Sequence, residues 1–216
     1  CDSSDRMLET LLTAAVLAFV GSRLAVGARI AVRRGVREHL LEVVGGIRAR
    51  HLLLAPVAFT LVIAAFTALI HVPGLDVGWW TAIGGSGNPV IGVTDQTTGS
   101  PLERILPAVF LVLLLPALPL FVEREERIFR LGAEHWSTAR RIRRGIWFGL
   151  VHAVVGIPIG AALALSIGGW YFTWAYLRAW RRTHDQESAV LESTRAHLAY
   201  NLEILVLVGL ALGFGW

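Results

Sequence analysis

The sequence predicts an all-α fold: a polytopic transmembrane helix bundle of about six spans, with its chemistry-bearing motifs on the last four. Three observations carry this. The 216 residues are 55% hydrophobic, with a mean hydropathy of +0.59. Several apolar runs approach the roughly 20 residues that a helix needs to cross a bilayer. The basic residues, all of them arginine, lie in short clusters beside those runs, where they read as cytoplasmic topology signals.

The first apolar run covers about 7–32 and is the weakest, because Arg23 inside it must face protein or snorkel to an interface. An arginine-rich connector follows, with Arg29, Arg33, Arg34, Arg37, Arg48 and Arg50, and belongs in the cytoplasm. The second span covers about 51–72. The stretch 73–101, rich in Gly, Thr and Trp, reads as an outside loop with Trp79 and Trp80 at the interface. A third span over 105–122 returns to the cytoplasmic side and runs into FVEREERIFR; its three prolines, Pro107, Pro116 and Pro119, imply a kinked approach. The nearly uncharged stretch 145–180 is too long for one crossing at 1.5 Å per residue. GIPIG at 156–160 is the natural break, giving two short tilted helices, out and back. The last span covers about 189–214. The organisation expected is therefore two N-terminal spans over 1–72, an external loop over 73–102 and a catalytic bundle over 103–216, with both ends outside.

Composition narrows the function classes. A net charge of +4 and a pI near 10.2 would suit nucleic acid, but arginine clusters at span ends do not make a nucleic-acid surface, and no such partner is expected. The single cysteine, Cys1, excludes an intramolecular disulfide within these residues and any cysteine-based zinc site. A chain opening on Cys rather than Met reads as a truncated form; a lipid-modified cysteine would need the preceding residues to establish it. No cleavable signal peptide is evident.

Ionisable groups inside spans are costly, so each needs a partner or a function. His152 lies in WFGLVHAVVG; His197 lies in RAHLAYNLE, with Asn201 four residues on and so on the same helical face. Glu126 and Arg130 are also four apart, in the order that favours an ion pair. Glu125 points about 100° away and is left to face the bundle interior. A carboxylate, two imidazoles and an amide brought together in a partly dry pocket can hydrolyse an amide. A desolvated glutamate takes a proton from water more readily, while histidines or an amide hold the water and the oxyanion. The set of His152, His197 and Glu125 with a water could alternatively bind zinc.

Three motifs then stand in order: EERIFR (125–130) as EExxxR, FGLVH (148–152) as FxxxH, and HLAYN (197–201) as HxxxN. On these the chain resembles the CPBP family of intramembrane proteases, also called the type II CAAX prenyl endopeptidase or abortive-infection family, over roughly 103–210. The resemblance implies that Glu125 activates the attacking water, braced by Glu126 and Arg130. It further implies that His152 and His197 orient the water or bind a metal, and that Asn201 helps hold the oxyanion, with Phe148 supporting. Both the glutamate-activated and the zinc-dependent routes stay open; no HExxH is present, which excludes the zincin arrangement. The substrate implied is a membrane-associated peptide or protein, and the setting a bacterial plasma membrane. One departure is Leu131 where the family often has Gly, with Gly132 one position later.

Plainer readings compete. FVEREERIFR could be a solvated helix end held by Glu123–Arg127 and Glu126–Arg130 pairs. His152 could be a packed histidine bonded to a backbone carbonyl, and His197 with Asn201 polar glue between helices. A b-type haem held by His152 and His197 would explain neither the glutamates nor Asn201. His39, His51, His71, His135 and His184 read as solvated or interfacial. Trp170, Trp174 and Tyr171 are expected to line the pocket beside His152. The rival to a protease is a non-catalytic relative acting as a scaffold, chaperone or accessory subunit of a larger membrane complex.

Overall fold

The structure, a computed structural model, describes residues 3–79 and 101–214. All regular structure among them is helical. The helices are α1 (Ser3–Ala31), α2 (Arg34–Gly45), α3 (Ala49–Leu69), α4 (Pro101–Arg130), α5 (Thr138–Val151), α6 (Ile159–Ala164), α7 (Ser166–Thr183) and α8 (Gln186–Phe214). Two of them contain stretches long and apolar enough to cross a membrane, Ala14–Ala31 in α1 and Ala49–Leu69 in α3. Trp80 and most of the expected external loop lie outside the described residues.

The arginine-rich connector is not merely a loop. Apolar residues at Val36, Leu40 and Val43 recur at helical spacing, so 34–45 form α2. Its Val43 joins Leu118 and Val122 of α4 and Leu198 of α8 in one buried cluster. Arg195 of α8 donates to the carbonyl of Val43 at 3.2 Å, a second bond to an acceptor that also takes the Gly46 N–H at the helix end.

Helix α4 continues through Pro116 and Pro119 and through the charged stretch 121–130. The kinked approach expected from the prolines does not break the helix. It stops after Arg130, where Gly132 takes the left-handed conformation, φ +83°, that side chains disfavour. Gly132 thus ends the helix. A short 3₁₀ turn at Ala133–His135 follows, and Ser137 caps α5 by accepting from the Arg140 backbone N–H.

The break in the long uncharged stretch falls where the sequence places it. Residues His152–Val155 form a 3₁₀ turn, Gly156 adopts φ +87°, and Pro158 precedes α6. The segment after α3 closes over this turn: Val77 and Leu75 carbonyls accept from the Ile159 and Gly160 N–H groups, and Trp79 donates to Val154. Helices α5 and α7 then approach closely because glycines face each other. A Cβ on Gly169 would stand 2.9 Å from the Gly145 carbonyl, and one on Gly149 would stand 2.2 Å from that of Ala162. This contact, with α7 against α8 and α3 against α8, forms the main core around Phe148, Phe172 and Tyr200.

Candidate active site

The last turns of α4 supply the first side chains. Because the helix does not end at residue 122, Glu126 and Arg130 are carried into the bundle, at 0% and 1% exposure. Arg130 donates from Nη1 to Oε1 of Glu126 at 3.0 Å and from Nη2 to the Gly169 carbonyl at 3.2 Å. Its guanidinium lies 4.2 Å from the centre of the Phe148 ring and 5.4 Å from that of Phe172. The ion pair is therefore dry and internal, so the reading of this stretch as a solvated helix end does not hold for its inner face.

The same geometry corrects the placement of Glu125. On a helix the neighbour of an inward-facing residue points about 100° away. Since Glu126 takes the interior with Arg130, Glu125 is turned to the rim, with its side chain 40% exposed. It lines a groove of about 320 Å³ together with Asn201, Arg23, Arg124, Phe121 and Ile128. Arg23, the charge expected to face protein or snorkel, is exposed on this groove.

His197 of α8 joins the two glutamates. Its Nδ1 stands 2.8 Å from Glu126 Oε1, and its Nε2 stands 4.0 Å from Glu125 Oε2. The ring stacks on Phe172 with centroids 4.2 Å apart and planes 18° apart, and meets Phe148 edge-on. The carboxylate at Nδ1 sets the tautomer: with Nδ1–H donating to Glu126, Nε2 carries the lone pair toward Glu125.

His152 is placed differently. It caps α5, and its Nδ1 donates to the Phe148 carbonyl at 2.8 Å, one helical turn back. Its ring meets Phe148 edge-on at 5.0 Å, so Phe148 is a neighbour common to both histidines. The structure thus brings Glu125, Glu126, Arg130, His197 and Asn201 together, with Phe148 beneath the brace, and leaves His152 bonded within its own helix. Among the described residues no three His, Cys, Asp or Glu side chains gather as a metal site. Glu125, His152 and His197 do not gather as a zinc donor set, although the Nδ1 bonds of the two histidines are of the kind that metal-bound histidines make and leave each Nε2 free.

Two features escaped the sequence. Phe172, the plate on which His197 stacks, carries no polar signal and is legible only as one aromatic among many. A second polar cluster ties the front of the chain to the back: Arg50 grips Glu192 with two bonds of 2.9 Å, and His51, 2% exposed, lies 3.1 Å from the same carboxylate. The backbone N–H of Arg48 donates to His51 Nδ1, so the other nitrogen carries the hydrogen toward Glu192. His51 is accordingly a buried clamp and not the interfacial residue expected. Trp170, Trp174 and Tyr171 also depart from expectation. Tyr171 and Trp174 face α3 across an apolar groove, and Trp170 donates to Ile142 over Gly145.

Around the site, α4 is held by a surface network. Arg127 pairs with Glu123 at 2.9 Å and Glu187 at 2.7 Å, and His39 of α2 lies 2.7 Å from Glu123. Hydrogen bonds from Arg127 hold the Glu187 carboxyl below the usual carboxylate range, and Glu187 in turn raises Arg127. Glu134 accepts from Tyr176 and Gln186; burial alone would raise its pKa, and those bonds outweigh it to leave the carboxyl lowered. No protein-family model matches the chain, and no curated protein and no solved structure is significantly similar to it.

Proposed function

We propose that this chain is an integral membrane protein of the CPBP type, an intramembrane endopeptidase that hydrolyses a peptide bond of a membrane-associated protein or peptide near the cytoplasmic side of a bacterial plasma membrane. The observation that carries the reading is the 4.0 Å separation between Glu125 Oε2 and His197 Nε2, on a groove that Asn201 also lines. That is close to the span one water bridges with two hydrogen bonds of about 2.8 Å. Six membrane crossings are part of the proposal. They are supported by the large apolar side chains exposed on the outer faces of α1, α3, α4, α5 and α8, among them Phe19, Leu53, Val112, Trp147 and Val206.

In this reading Glu125 takes a proton from the water as the water oxygen attacks the carbonyl carbon. His197, held by Glu126, accepts a hydrogen bond from the water's other O–H, which stays intact, and keeps the nucleophile aimed. The Asn201 amide donates to the oxyanion. The proton on Glu125 passes to the leaving amine as the C–N bond breaks. Glu126 and Arg130 touch no reacting atom; they position His197. No step is routed through a metal, and His152 is given none.

The test is cleavage of membrane-anchored fluorogenic peptides by the purified chain in lipid nanodiscs. Wild type should cleave at least part of such a panel, and Glu125→Gln should not. A second reading, a non-catalytic scaffold, chaperone or accessory subunit with this fold, is favoured by the hydrogen bond that turns His152 into its own helix. Full retention of a cellular phenotype by both Glu125→Ala and His152→Ala would select it over the protease.

A further inference from the structure

Residues 138–184 contain seven arginines and no aspartate or glutamate. Four of the arginines lie on α5, in its first two turns, and three lie near the end of α7. Because the two helices run in opposite directions after the turn at 152–158 and pack side by side, all seven collect at one end of the bundle.

Four arginines elsewhere find carboxylates: Arg34 with Glu38, Arg50 with Glu192, Arg127 with Glu123 and Glu187, Arg130 with Glu126. None of the seven does so among the described residues. Arg141 and Arg144 donate to backbone carbonyls, Arg140 and Arg144 face the Trp136 ring, and Arg178 faces Trp174. Arg143, Arg181 and Arg182 are exposed.

The exposed face of each helix changes character at a matching distance. On α5 it passes from Arg140 and Arg143 to Trp147, 56% exposed, and then to Val151. On α7 it passes back from Arg181 and Arg178 to Trp174 and Trp170, at 44% and 41%. Seven residues separate Arg140 from Trp147 and Trp174 from Arg181, about 10 Å at 1.5 Å per residue. Charge, then indole, then aliphatic surface is the order met on passing from phosphate through the interface into acyl chains. A nucleic acid or an acidic soluble protein would match the arginines but not the apolar surface continuous with them.

We infer that the arginine-bearing ends of α5 and α7 form a docking surface for the phosphate headgroups of anionic phospholipids. This rests on the membrane reading above and not on proteolysis. Guanidinium forks pair two-toothed with phosphate oxygens, and each basic side chain near an anionic surface contributes roughly a fivefold gain in affinity.

The full chain in neutral detergent is titrated with phosphatidylglycerol, phosphatidylcholine or soluble glycerol phosphate, and retained lipid is counted by native mass spectrometry. Wild type should retain phosphatidylglycerol in preference to phosphatidylcholine. R143Q/R181Q/R182Q should weaken that retention on the order of 100-fold. R29Q/R33Q/R37Q, which removes equal charge near and on α2, should leave it within about threefold. Equal retention by the first triple variant, equal retention of phosphatidylcholine, or full competition by glycerol phosphate would overturn the inference. A chain that stays monodisperse without detergent would instead sink the membrane reading on which it rests.

Discussion

Oε1 of Glu126 accepts a hydrogen bond from Nδ1 of His197 at 2.8 Å, joining two motifs 71 residues apart in the chain. The same oxygen accepts from Arg130, so one buried carboxylate holds both an imidazole and a guanidinium. Removing its charge leaves Arg130 charged, buried and unpaired. Glu126→Gln is expected to cost about 3–5 kcal/mol of stability. Arg130→Gln should cost a similar amount, and the double variant distinctly less than the sum. A double-mutant cycle on unfolding in mixed micelles checks this; additive costs would mean that the pair is not coupled.

Glu125 offers the opposite profile. Its side chain is 40% exposed, with His197 Nε2 4.0 Å away. Glu125→Gln should leave unfolding within about 0.5 kcal/mol of wild type while lowering peptide cleavage on the order of 100- to 10,000-fold. A variant that cleaves at the wild-type rate would remove Glu125 from the mechanism.

The glycine contact between α5 and the α6–α7 segment is equally exposed to test. A methyl group at residue 149 would meet the Ala162 carbonyl at 2.2 Å and the Ser166 hydroxyl at 2.6 Å. Backbone cannot yield as a flexible side chain can. Gly149→Ala should destabilise by about 1–3 kcal/mol, whereas Gly35→Ala on α2, where a Cβ meets nothing within 4 Å, should not. Thermal unfolding of the two variants side by side decides it.

Acid should loosen α8 from α4 at its start. The Glu187 carboxyl is held below its ordinary value of 4.5 by Arg127. A lowered folded-state pKa contributes stability that is present above about 4.5 and lost as pH falls through the folded value. The stability gap between wild type and Glu187→Gln should therefore be constant above about pH 5.5 and close on acidification below about 4.5. Because the pair is largely exposed, the gap is small and should shrink further in high salt. A gap that widened toward low pH would contradict the Arg127–Glu187 link.

Much of the helical framework was legible because apolar run length and arginine clustering act locally. The stop at Gly132 and the break at Gly156–Pro158 follow from what single residues do to a backbone. Helix α2 was missed because its arginines masked a three-residue apolar stripe, which matters only once α4 and α8 are there to cover it. The motif residues were legible as types at spacings, and Glu126–Arg130 as an i, i+4 pair. Which of the two adjacent glutamates faces inward was not, since rotation about the helix axis is decided by what packs on each side.

By itself, then, the sequence determined an all-helical chain with long apolar runs, two of which form helices long and apolar enough to cross a membrane where about six spans were expected, and a small set of ionisable residues that need partners. Only the tertiary structure decided the partners: Glu126 inside with Arg130 and His197, Glu125 at the rim with Asn201, His152 turned back on Phe148, and His51 with Arg50 on Glu192. The reason is that helix formation and burial are written in runs and periods along the chain. The choice of hydrogen-bond partner for a buried charge depends on side chains brought close from up to 142 residues away.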